Sequence, residues 1–505
     1  MSAPNDVENG TLMRVRYNVL PLFDIALGNF VRGKDGGTYL NGGMSRIMGF
    51  GGRGNVFKTF KMQYLNFSMF YRYRLEWSSF YDTEESAEAK RQDTIIQSVF
   101  TNNFWDFDPM ESQVAKLLAP KDPKAQKFTM SNISKLNGTD WYENWMRNKA
   151  PDREKQFKAG RGFKTTPFYN VFGKLESILP PWNYAVDSMS DWHSSSNDKE
   201  TMKASVGESE SNHIAMTDNN HKGQMMSRWP RLAGQGEYCI SFSVQLTDDI
   251  QMDKYNSEKK LDTMKGKVKL ANVPGKVVTY LTSSLLIATS SGELKQPNSY
   301  NAATGVDEPM YPLDRGIMTS YNDLKVVRYT QWRAKSGPTG VKMDLIFSQE
   351  EGLLSGLSEW HYLKEVIGKQ QFGWERTGNR FYNLDLLPDT KFERTTIRRQ
   401  IVEDKRLARA MTITSQCGYF FNNTIRIPTQ LRMTMAELRE RIIEQGYDWE
   451  EIFEKTVDWW MFEEDRKHHG VHTLTIYSLL EMAMDMWEPK FLTRNKVKKE
   501  TKTDG

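Results

Sequence analysis

Apolar positions along the chain fall into two regimes. Up to about residue 348, short apolar runs alternate with helical stretches, the pattern of a mainly parallel sheet flanked by helices. The clearest strands are predicted at Arg46–Phe50, Leu75–Tyr81, Trp182–Val186, Tyr238–Val244, Ser283–Ile287 and Val341–Phe347. From about residue 430 the apolar spacing becomes helical, in AELRERIIEQ, WEEIFEKTVDWW and TIYSLLEMAMDMW. An α/β core over residues 13–348 is therefore expected, followed by a mostly helical C-terminal domain over 349–505 with the basic tail RNKVKKETK. Residues 1–12 are polar and read as a flexible N-terminus, and no internal repeat is present.

Three stretches break the pattern. Residues 100–175 are polar and include KAPDREKQFKAGRGFKTT, which reads as a mobile basic insertion. Ser190–Lys222 and Gln251–Lys276 also read as flexible, the second with seven Lys against three acids. Both follow predicted strands, and loops at the carboxyl ends of strands are where α/β sheets place their sites.

Composition narrows the class. A chain of 505 residues exceeds one ordinary core, and 38% hydrophobic with 26% charged residues describes a globular protein. The net charge of +4 says little about a nucleic-acid partner unless the cations cluster. Cys239 and Cys417 have no CxxC spacing, which argues against a disulfide framework or zinc site and for a reducing compartment. His468 and His469 read as a solvated helix end. No apolar run is long enough to span a membrane, and MSAPNDVENG lacks a signal-peptide pattern, so a soluble intracellular protein is expected.

The candidate chemistry begins where RIMGF runs into GGRGNVFKTF. Against G-x-x-x-x-G-K-[ST] this gives Gly52, then Arg53, Gly54, Asn55 and Val56, then Phe57, Lys58 and Thr59. Such a loop rings phosphates with backbone N–H groups, while the Lys neutralises β and γ oxygens and the hydroxyl holds Mg²⁺. Phe57 stands where the motif has Gly, so on the motif alone a nucleotide site and a Gly-rich turn are equally good readings. Downstream, LEWSSFYDTEES places Asp82, Glu84 and Glu85 after a strand, either as catalytic acids or as a helix N-terminus decorated with carboxylates.

The order of RYNVLPLFDIALGNF, Gly42–Gly43, strand and loop resembles RecA-family recombinases, and Phe before the loop Lys is shared with those of T4-like bacteriophages, the UvsX group. The resemblance spans about residues 14–385 and implies a RecA-like P-loop ATPase core. It makes Glu84 the residue that polarises the attacking water, Asp187 the Mg²⁺ ligand beside Thr59, and Gln245 the γ-phosphate sensor. It assigns residues 190–229 and 248–276 to DNA-binding loops, the second carrying Lys254, Lys259, Lys260, Lys265, Lys267 and Lys269. Arg333 is matched to a cation that reaches the neighbouring subunit's ATP, with Gln331 in the companion position and Lys335 able to substitute. Implied cofactors are ATP and Mg²⁺. Implied partners are single-stranded DNA, homologous duplex DNA, further copies of the chain in a helical filament, and phage single-strand-binding and mediator proteins, in the cytoplasm of an infected bacterial host. Two other readings stay open: another RecA-fold DNA motor or accessory ATPase, and a DNA-coating protein with a decayed ATP site.

Overall fold

The computed structural model describes residues 14–495, except 76, 84–87, 104–127, 133–149, 171, 194–210, 236, 249–267, 303–304, 314–321, 336, 338, 369–371 and 424–426. Its centre is a large, mostly parallel sheet. The strands of this sheet are β1 (Ile47–Gly52), β2 (Ser78–Asp82), β3 (Phe128–Asn132), β4 (Trp182–Asp187) and β5 (Tyr238–Asp248). They continue with β6 (Val268–Leu270), β7 (Ser284–Glu293), β8 (Leu324–Ala334), β9 (Lys342–Ser348) and β10 (Gly352–Leu353). Their spatial order is β10-β9-β8-β7-β1-β5-β4-β2-β3, with β6 paired to β5.

Strands β7, β1, β5, β4, β2 and β3 run parallel, and β8, β9 and β10 extend the sheet antiparallel. Every residue of β1 and β4 is buried, as strands covered on both faces must be. Glycine inside β1 has a packing reason: a Cβ on Gly51 would lie 2.3 Å from Ile287 Cδ1 of β7. The chain leaves β1 for β2 on one side, returns through β4 and β5, then crosses β1 to β7. The sheet order thus reverses around β1, where open α/β sheets form a crevice.

Helices cover both faces. Helix α1 (Lys58–Arg72) and helix α2 (Ala89–Asn102) lie over one, where Phe60, Leu65, Met69 and Ile95 join Phe50 and Leu345 in a core. On the other face α3 (Ser211–Ser227), α4 (Trp229–Gln235) and α5 (Gly275–Leu281) bring Met226, Trp229 and Val278 against Tyr184, Phe242 and Leu285.

Beyond β10 the chain is mainly helical, as in α6 (Lys405–Asn423), α7 (Met435–Glu444) and α8 (Ile476–Ala483). A capping box explains where α7 starts: Thr434 Oγ1 accepts from Glu437 N, and Glu437 Oε2 accepts from Thr434 N. The region also holds a three-stranded antiparallel sheet over residues 374–393, which the helical reading did not include. The N-terminal hairpin Asn29–Arg32/Thr38–Asn41 docks on α8, where Arg32 forks onto Glu481 at 2.9 and 2.6 Å. Trp460 and Phe462 return to the α1 core and meet Tyr73 at 4.6 and 6.0 Å.

Two readings are corrected. The stretch 100–175 is not a mobile insertion throughout, because Phe128–Asn132 is the β3 edge strand and Ala150–Lys158 is a helix. Arg153 of that helix is buried and donates to the Pro180 carbonyl, which fixes it to the strand-bearing core. Of the flexible stretch starting at Ser190, residues from Ser211 form α3, held by a buried Lys222–Asp218 ion pair at 3.0 Å. Among the described residues, no helix is long and apolar enough to cross a membrane.

Candidate functional site

Strand β1 delivers its carboxyl end to the loop 53–57, and α1 starts at Lys58. The loop folds tightly over the strand end, so a Cβ on Gly52 would lie 2.5 Å from Val56 Cγ2. Asn55 and Phe57 both adopt left-handed backbone, at φ 58° and 55°. For a residue with a side chain that conformation costs roughly 1–2 kcal/mol, which is why the motif has Gly at position 57. Here the Phe57 ring stacks on Phe347 of β9 at 4.8 Å and meets Phe60 edge-on at 6.5 Å. Aromatic pairs contribute about 0.5–1.5 kcal/mol each beyond area burial, enough to offset the strain. The Tyr329 hydroxyl of β8 braces the loop by donating to the Val56 carbonyl at 3.1 Å.

Lys58 Nζ donates to the Arg53 carbonyl at 2.8 Å, so the loop curls over the lysine. Residues 53–55 are exposed, and the first turn of α1 carries no acid. No side chain caps the amino end of this 15-residue helix, and the positive end of its dipole lies at the loop. One turn later sits a residue the sequence reading missed. Lys61 is wholly buried, with Nζ 3.3 Å from the Tyr329 ring centroid, and burial holds its pKa well below the ordinary lysine value. Nothing in the pattern FKTFKMQ distinguishes it from a surface lysine.

Strands β2 and β4 bring Asp82 and Asp187 side by side at their carboxyl ends. Asp187 is buried and Ser243 Oγ of β5 donates to its Oδ1. The Asp187–Ser188 peptide is cis. Thr83 ties the strand ends together: its N donates to the Asp187 carbonyl at 2.6 Å, and its Oγ1 accepts from Ser188 N at 2.6 Å. Glu84 and Glu85 lie outside the described residues.

Strand β5 runs between β1 and β4, and its Gln245 is level with Gly52. Asp187 is therefore two strand spacings, about 10 Å, from β1. Gln245 Nε2 donates to Asp191 Oδ2 at 3.3 Å, an oxygen that also accepts from Ser188 Oγ at 2.6 Å. The Gln245 carbonyl accepts from Ala271 N at 2.8 Å, just beyond β6. Pairing of Val268 with Asp248 brings together the two ends of the connection that holds Lys254, Lys259, Lys260, Lys265 and Lys267. Those five lysines lie outside the described residues, while Lys269 is exposed on β6. Lys222 Nζ of α3 donates to the Asn272 carbonyl at 2.8 Å, linking the two loop stretches at their bases.

Arg333 is not gathered into this cluster. On β8 it pairs with Leu285, which is level with Gly49, so it lies toward the amino end of β1. Gln331 is buried, its Nε2 3.5 Å from Ser284 Oγ, whereas Lys335 is exposed. Burial and then the cations Arg14 and Arg333 lower the Lys335 pKa, so a basic cluster forms at this edge.

The structure thus converges Gly52–Thr59, Asp187 and Gln245 on one sheet edge and places Arg333 elsewhere. In comparison with known proteins, no family model and no curated protein sequence matches this chain.

Proposed function

We propose that the chain is an ATP-dependent recombinase of the RecA type, which binds single-stranded DNA, assembles into filaments and exchanges strands. The observation that carries this reading is the alignment of a Lys-Thr phosphate loop, a buried aspartate and a glutamine at the carboxyl ends of β1, β4 and β5. They surround the point where the sheet order reverses, the general position of a nucleotide crevice.

The donor set fits ATP with Mg²⁺. The α1 amino end and loop N–H groups would cradle phosphate oxygens, and Lys58 would exchange the Arg53 carbonyl for the β and γ oxygens. Thr59 and Asp187 would hold Mg²⁺, which supplies charge neutralisation on the triphosphate. Glu84 would orient and deprotonate the attacking water. Gln245 would release Asp191 to bind a γ-phosphate oxygen, pulling on Ala271 at the base of the lysine-bearing connection. Because β7 and β8 hold Arg333 away from its own phosphate loop, its cation would act on a neighbouring chain's ATP.

Negative-stain microscopy with single-stranded DNA and a slowly hydrolysed ATP analogue tests the reading. Regular filaments that need both components are expected. Particles of one chain under every condition would exclude it.

A further inference from the structure

Where the carboxyl ends of α1 and α2 meet the C-terminal helices lies a partly open cavity of about 180 Å³. It lies at the far end of α1 from the phosphate loop, about 21 Å of helix rise away. Two arginines that are 4% and 8% exposed, Arg72 and Arg409, help line it. A guanidinium carries five N–H donors, and buried donors need acceptors. Arg409 donates through Nη2 to the Leu474 carbonyl at 2.6 Å and, with Nε, to Thr456 Oγ1. Its Nη1 has no hydrogen bond among the described residues. Arg72 donates through Nε to Asn103 Oδ1 at 2.9 Å, and among the described residues neither terminal nitrogen makes a hydrogen bond. The buried Asp24 carboxyl lies 3.9 Å from Arg72 Nη1.

Groups of both signs line the wall, three cations against the carboxyl groups of Glu359 and Asp458. Lys405 adds a third cation at an exposed position. Burial pushes the Glu359 carboxyl up to about 8, so it is mainly neutral at pH 7 and accepts from Thr412 Oγ1 and Ser355 Oγ. Asp458 also lines the wall, where its charge acts on Arg409 and its Oδ2 accepts from Gln416 Nε2 at 2.7 Å. Unspent guanidinium donors and excess positive charge call for acceptor oxygens bearing negative charge. A space of this size is large enough for a group of several heavy atoms.

We infer that this cavity binds a small oxyanion of the phosphate or pyrophosphate class, gripped by Arg72 and Arg409 with Lys405 at the mouth. The site is independent of the phosphate loop. The test is calorimetric titration of inorganic phosphate and pyrophosphate into the full chain carrying Lys58→Ala, which removes the loop's main anion contact. Saturable one-to-one binding is expected for at least one of the two. Adding Arg409→Lys, which loses the forked donor, should weaken it about tenfold or more. Lys405→Ala, at an exposed position that leaves the core intact, should weaken it severalfold and decides the matter if Arg409→Lys does not fold. Absence of saturable heat with both anions overturns the inference, as does binding unaltered in every folded variant.

Discussion

At residue 57 a phenylalanine occupies a backbone conformation that suits glycine, and the rest of the loop depends on it staying there. Phe57→Gly and Phe57→Ala both lose the stack on Phe347, but Ala alone keeps the left-handed penalty. The Gly variant should therefore be more stable than the Ala variant by about 1 kcal/mol, the reverse of the usual helix ranking. Denaturant titration of the two checks this; an Ala variant equal to or better than Gly would mean the loop relaxes to ordinary backbone. The loop itself was legible because Gly52, Lys58 and Thr59 stand in local register. Tolerance of Phe57 was not, because it rests on Phe347, which sequence distance hides. The same holds for Lys61, whose burial is set by Phe23, Phe50 and Tyr329 from three other elements.

Among elements, the central strands were the readable ones. Ile47–Gly52, Trp182–Asp187 and Tyr238–Asp248 all start within a residue of their predicted positions, since large apolar residues such as Phe50, Tyr184 and Phe242 mark each of them even where Asn183, Ser241 and Ser243 are buried among them. The edge strand Phe128–Asn132 reads FTMSN, too short and polar to stand out. Helix α3, SNHIAMTDNNHKGQMMS, has no apolar stripe along most of its length, so its sequence reads as loop. It is anchored instead by Met225, Met226 and the Asp218–Lys222 pair, which only tertiary packing reveals. The connection between β5 and β6 carries the prediction at this scale. Replacing Lys259, Lys260, Lys265 and Lys267 with Gln should weaken single-stranded DNA binding and flatten its salt dependence, by roughly 0.7 in log–log slope per lost phosphate contact. Binding measured across a salt series gives the slope directly, and an unchanged slope removes these lysines from the DNA track.

For the whole molecule, the expected boundary near residue 348 is crossed by packing in both directions. Leu22, Ile25 and Leu40 join the C-terminal core, while Trp460 and Phe462 join the core under α1. Helical periodicity marks each segment but not which distant surface it meets, so this interlocking was illegible. One consequence is measurable. Glu359 is buried at the junction, with its pKa raised from 4.5 to about 8 by burial first, so the folded chain holds a proton that the unfolded chain has released. Its contribution to stability is full below the unfolded value and is lost as pH rises toward the folded one. Thermal melts from about pH 5 to about pH 8 should thus show Glu359→Gln gaining stability relative to the parent as pH rises. Parallel curves would mean the carboxyl is ionised in the fold.

At the same scale, the phosphate loop, Asp187 and Gln245 are proposed to form one engine driven by ATP and engaged by DNA. The most direct test is steady-state ATP hydrolysis by the full chain and by Lys58→Ala, each with and without single-stranded DNA. Hydrolysis should rise at least tenfold with DNA for the parent chain and stay at background for Lys58→Ala, since one charge-assisted contact to the transferred phosphate accounts for about that much or more. Hydrolysis that ignores DNA, or that survives the loss of Lys58, would contradict the account.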